Sequence, residues 1–186
     1  MLRRRSKPIE QKQRKASTTP EEIRARTFQR AVELLAAKPR SIAELRERLV
    51  EGRGASKAVV EVVIAGLREY GYLDDERFAV GYASSKVRQH PVGRRRLAQS
   101  LALKKVDRSV ADEALDQVFA ETPEEELIDR AVEKRIRLRG HPRTRAEAKS
   151  LFDHLLRQGF AFELVSEKVR AASNAALDDL EEHSAV

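Results

Sequence analysis

Apolar residues recur at helical spacing along this chain, and the intervals between the stripes recur as well. Leu97 and Leu101, moved on by 54 residues, land on Leu151 and Leu155. Val106, Val110 and Leu115, moved by the same 54, land on Phe160, Leu164 and Val169. Leu45 and Leu49 stand 52 residues before Leu97 and Leu101, while Val59, Ile64 and Leu67 stand 51 before Val110, Leu115 and Val118. Steps of three and four residues put side chains on one face of a helix. Intervals preserved between such faces mark a copied supersecondary unit. The expected fold is all-α: three tandem three-helix, helix-turn-helix-like repeats of about 50 residues. One such unit buries little apolar surface alone, so neighbours are expected to pack end to end in an elongated, curved array.

Capping chemistry supplies the boundaries. Thr19-Pro20-Glu21-Glu22 reads as N-cap, N1 and N3 of a first helix, and Pro39 ends it. Ser41-Ile42-Ala43-Glu44 reads as a capping box, Ser56 as the N-cap of a third helix, and Asp107 as the N-cap of a later one. Thr122-Pro123-Glu124-Glu125 repeats the opening pattern, and Thr144-Arg145-Ala146-Glu147 is another box. The expected segments are a disordered basic arm at 1–18, repeats at 19–73, 74–121 and 122–173, and a frayed acidic tail at 174–186.

The first joint carries the most specific stretch, Gly71, Tyr72, Leu73, Asp74, Asp75, Arg77 and Phe78. Gly71 is expected to close one helix in the left-handed conformation and Asp74 to cap the next. Asp75 then places charge at the positive end of that helix. Leu73 and Phe78 occupy staple positions, Tyr70, Tyr72 and Phe78 are available to fill the corner, and Arg77 is placed to pair with Asp74.

Charge narrows the function. The net charge of +7 divides into +6 over 1–26, 0 over 27–83, +4 over 84–120 and −3 over 121–186. A polyanion or an acidic protein surface is therefore expected to meet the front and middle of the chain. Lys86, Arg88, Arg94, Arg95, Arg96, Lys104 and Lys105 form the candidate contact set. Arginine suits carboxylate and phosphate forks. The chain has no cysteine, and its four histidines show no metal-binding spacing. No Ser/His/Asp set, P-loop or dinucleotide fingerprint is present, so neither catalysis nor a cofactor is expected. No apolar run reaches the ~20 residues of a membrane span. A cytoplasmic monomer is the expectation.

With joint and repeats in view, the chain resembles the RecX family, regulators that bind the bacterial recombinase RecA. The matching residues are Gly71-Tyr72-Leu73-Asp74-Asp75 with Arg77-Phe78-Ala79, then Gly93, Arg95, Arg96, Leu97 and Leu101. Ala31, Leu34, Leu35, Arg40-Ser41, Glu44-Leu45 and Leu49 agree at the front, and the resemblance covers roughly 27–173. The family often has Lys-Gly-Ile after the second helix of the middle repeat, where this chain has Lys104-Lys105-Val106. The resemblance implies a non-enzymatic modulator of DNA repair, recombination and the SOS response. It would bind the RecA filament along its groove or at an end, mostly lowering ATP hydrolysis and strand exchange, with weak, sequence-independent DNA binding. A winged-helix-like DNA-binding protein or transcription regulator stays open as an alternative. It requires base readout, for which Gln99 is the one candidate.

Overall fold

A computed structural model describes residues 19–52 and 54–184, with side chains as far as residue 174. The arm at 1–18 lies outside the described residues. Among these residues there are nine α-helices and no strand: α1 (Pro20–Ala37), α2 (Ile42–Glu51), α3 (Lys57–Glu69), α4 (Asp75–Gln89), α5 (Arg94–Leu103), α6 (Arg108–Glu121), α7 (Glu124–Arg139), α8 (Arg145–Arg157) and α9 (Phe162–Ser184). They pack in threes, α1–α3, α4–α6 and α7–α9. The last helix, α9, runs to Ser184.

The chemistry at helix starts explains most boundaries. Thr19 and Thr144 form complete capping boxes with Glu22 and Glu147. The Ser56, Asp74 and Asp107 side chains each accept from a first-turn backbone N–H. Two starts differ from expectation. Ser41 caps α2, but Glu44 does not reach back to it, because that carboxylate is drawn to Lys104 of the next unit. Thr122 is not the N-cap of α7. Its N–H still donates to Val118 at the end of α6, so Pro123 becomes the cap and α7 begins at Glu124.

The core is not three equal parts. Ala31, Leu45, Leu49, Val60, Val63, Ile64, Leu67 and Leu73 form one buried cluster confined to the first unit. The second and third units share another, running from Ala79 to Ala172 and including Leu97, Leu101, Leu115, Leu127, Leu151, Leu155 and Phe160. Each fully buried leucine is worth about 1.5–3 kcal/mol of transfer free energy. Fusing two units into one core therefore binds them far more firmly than polar contacts bind the first.

The same turn closes the helix before each of three junctions. Gly71 (φ 71°), Lys105 (φ 58°) and Gly159 (φ 88°) are left-handed. In each case the next residue donates back to the helix: Tyr72 to Leu67, Val106 to Leu101, Phe160 to Leu155. These are Schellman closures, usually built on glycine. Lys105 keeps the geometry where the family's glycine is missing, so the loss of that glycine does not change the turn.

Tyr70 and Tyr72 do not fill the first joint; both are exposed, at 69% and 68%. Leu73 occupies the interior instead and joins the first core, while Phe78 packs against the second. The Arg77 guanidinium donates to the Gly71 carbonyl and lies 3.7 Å from Asp74, tying the corner together.

Candidate interaction surface

Much of the cationic set expected to face a partner is engaged inside the array. At the junction of the first two units, the Ser41 hydroxyl donates to the Lys104 carbonyl. Lys104 Nζ is 2.8 Å from Glu44, and Lys105 pairs with Glu47. Asp75 Oδ1 accepts from the Ile42 backbone N–H at 2.8 Å, so the first residue of α4 caps the start of α2. Burial pushes the Asp75 carboxyl above its ordinary value, against the downward pull of that hydrogen bond.

The junction of the second and third units repeats this arrangement. Gly93 N–H donates to the Gln158 carbonyl at 2.9 Å, and Arg95 N–H donates to the Gly159 carbonyl at 3.2 Å. The end of α8 thus caps the start of α5, an alignment the helix dipoles favour. Glu124, the first residue of α7, accepts from Arg94 N–H at 2.9 Å, as Asp75 does from Ile42. Contact is close enough to require glycine: a Cβ on Gly93 would sit 2.3 Å from the backbone of Gly159 and Phe160. The Arg94 guanidinium pairs with Asp116 at 2.7 Å, and Arg96 donates to the Arg157 carbonyl and to Gln158 Oε1. Of the expected set, Lys86, Arg88, Arg95 and Arg96 are exposed and form no ion pair among the described residues, Arg96 being held by its two hydrogen bonds to neutral acceptors.

A groove of about 430 Å³ opens between α4, α5, α7 and α8. Lys86, Arg96, Lys134, Arg135, His90 and His154 line it, and no carboxylate does. Val92, Leu97 and Ala131 give it an apolar floor, with Leu138 at 72% exposure. Arg135 is steadied by a bond to Ser150 Oγ. Burial, then the charges of Arg135, Arg157, Arg96 and Lys134, hold the His154 imidazole below its usual value. Lys134 and Arg135 went unnoticed in the sequence because the third unit is acidic on average, and His154 counts there only as a candidate metal ligand. Ala131, Lys134, Arg135 and Leu138 nevertheless follow helical spacing, so the stripe was readable there.

Among the described residues no cluster of three potential metal ligands occurs, and no helix is long and apolar enough to cross a membrane. The surface combines repeated docking seams with one uncompensated cationic groove. That defines a helical-repeat protein whose units are locked together by caps passed from each unit to its neighbour.

Residues 74–115 match the family model for RecX, second three-helix domain. The regulatory protein RecX of Halorhodospira halophila is 36% identical over 152 residues, covering 80% of this chain and 87% of that protein. The regulatory protein RecX of Treponema pallidum (strain Nichols) is 40% identical over 111 residues, 60% of this chain and 66% of that relative's length. The crystal structure of RecX from Lactobacillus salivarius superposes with a TM-score of 0.72 at 17% identity, over 83% of this chain and 99% of that one, a likeness of fold. The chain belongs to the RecX family.

Proposed function

We propose that this protein binds RecA and its nucleoprotein filament and lowers the filament's ATPase, recombinase and strand-exchange activities, without catalysing a reaction itself. The observation that carries this reading is membership of a family of regulatory proteins across 80% of the chain. The architecture supports it physically. Units joined by paired caps at fixed positions hold a defined spacing, which suits a body lying along a helical polymer. Lys86, Arg88, Arg95 and Arg96 are exposed cations of the middle unit that could meet DNA or an acidic groove, in a weak and sequence-independent way. The site of action is the cytoplasm, where RecA works. RecA's DNA-dependent ATPase, titrated with this protein, tests the reading. A decline before equimolar addition is expected; an unchanged rate with folded protein overturns it.

A further inference from the structure

The geometry points to the groove between the second and third units as a docking site for an acidic polypeptide segment with an aliphatic anchor. This stands whether or not RecA is the partner. Four permanent cations, Lys86, Arg96, Lys134 and Arg135, line it without a carboxylate beside them, Arg96 and Arg135 being oriented by hydrogen bonds to neutral acceptors. None of the four makes an ion pair among the described residues, although nine such pairs form elsewhere. Charge complementarity therefore calls for an anionic occupant.

The apolar part of the groove selects the class of anion. Its floor is aliphatic and Leu138 stands exposed beside it, so burying a leucine-like side chain there would remove apolar surface from water on both partners. Single-stranded nucleic acid relies on open aromatic faces for base stacking. Tyr82 is the one Phe, Tyr or Trp residue lining the groove, beside the imidazoles of His90 and His154. Its ring already stacks on Phe78 at 5.9 Å and lies under Lys86 Nζ at 5.6 Å. The site supplies an apolar anchor point and cations for carboxylates, and no free phenyl, phenol or indole face for a base.

The experiment uses the full chain and three fluorescein-labelled probes: a glutamate-rich peptide carrying two leucines one helical turn apart, the same peptide with serines for leucines, and an oligothymidylate of equal charge. Anisotropy should show the leucine peptide binding more tightly than the other two. Lys86→Glu with Lys134→Glu, both exposed side chains, should weaken it roughly tenfold or more. Leu138→Ser should weaken the leucine peptide several-fold and leave the serine peptide unchanged, while Lys57→Glu, an exposed cation of the first unit outside the groove, should have little effect. Equal binding of the two peptides, or indifference to Leu138→Ser, would overturn the anchor. Tighter binding of the oligothymidylate with the same variant sensitivity would make the groove a nucleic-acid site and end the proposal.

Discussion

Asp75 and Lys105 are residues whose roles no short-range rule describes. A carboxylate at the first position of a helix is normally accounted for by its own helix dipole. Asp75 instead accepts from Ile42, 33 residues earlier in the chain. Asp75→Ala should cost about 1 kcal/mol, as loss of an N-terminal cap generally does, measured by urea unfolding. Asp75→Asn keeps an acceptor and should not. The sign of the pH effect follows from burial. The folded state holds the Asp75 proton more readily than the unfolded chain, so ionisation of this group opposes folding above its raised pKa. That opposition fades as pH falls through the raised value toward the ordinary 3.8. Asp75→Asn should therefore match or slightly exceed the parent at neutral pH and lose its advantage in that acid window. Lys105 holds a left-handed conformation that costs a side-chain residue about 1 kcal/mol relative to glycine. Its pair with Glu47 is half-exposed and worth little. Lys105→Gly should raise stability by up to about 1 kcal/mol in the same assay.

At the scale of elements, helices and turns were legible because their signals are local. Gly71 and Asp74 end and begin helices through their own backbone and side chain. What escaped the sequence depends on partners far along the chain. Glu44 looks like the second half of a capping box until Lys104 is placed beside it. Thr122-Pro123 copies Thr19-Pro20 in letters, but Thr122 is still held by the preceding helix. Tyr72 sits at a corner by spacing, yet Leu73 takes the interior. Gly93 stands out in the sequence only as a residue of the family resemblance, while its real constraint is the Gly159-Phe160 backbone against it. Gly93→Ala should therefore force α5 away from the α8–α9 turn and cost about 1–3 kcal/mol or more, as overpacking does. Thermal unfolding of this variant beside Gly81→Ala, where a Cβ meets nothing within 4 Å, measures the difference. Equal stability of the two would remove the close contact from the account.

Across the whole molecule, the periodic seams revealed three units but not how unequally they are joined. The second and third share one core. The first keeps its own and meets its neighbour through Ser41, Ile42, Glu44 and Glu47, beside a cleft lined by Ile42 on one side and Val110 on the other. Glu44 Oε2 is buried there without a hydrogen-bond partner, which weakens the junction further. Ionic contacts are screened at high salt, where the Debye length falls to about 3 Å at 1 M. Hydrogen exchange at 28–73 should therefore rise with salt while the protection of 79–172 holds. Uniform change along the chain would show that the first unit is not a separately held body.

The most direct test of the central claim is RecA's ATPase on single-stranded DNA, titrated with the parent protein and with Gly93→Ala, whose units are expected to remain helical but lose their fixed docking. The account predicts that the parent lowers the rate before equimolar addition and that Gly93→Ala does so far less. An unaffected rate with the parent, or equal potency of the two proteins, would contradict it.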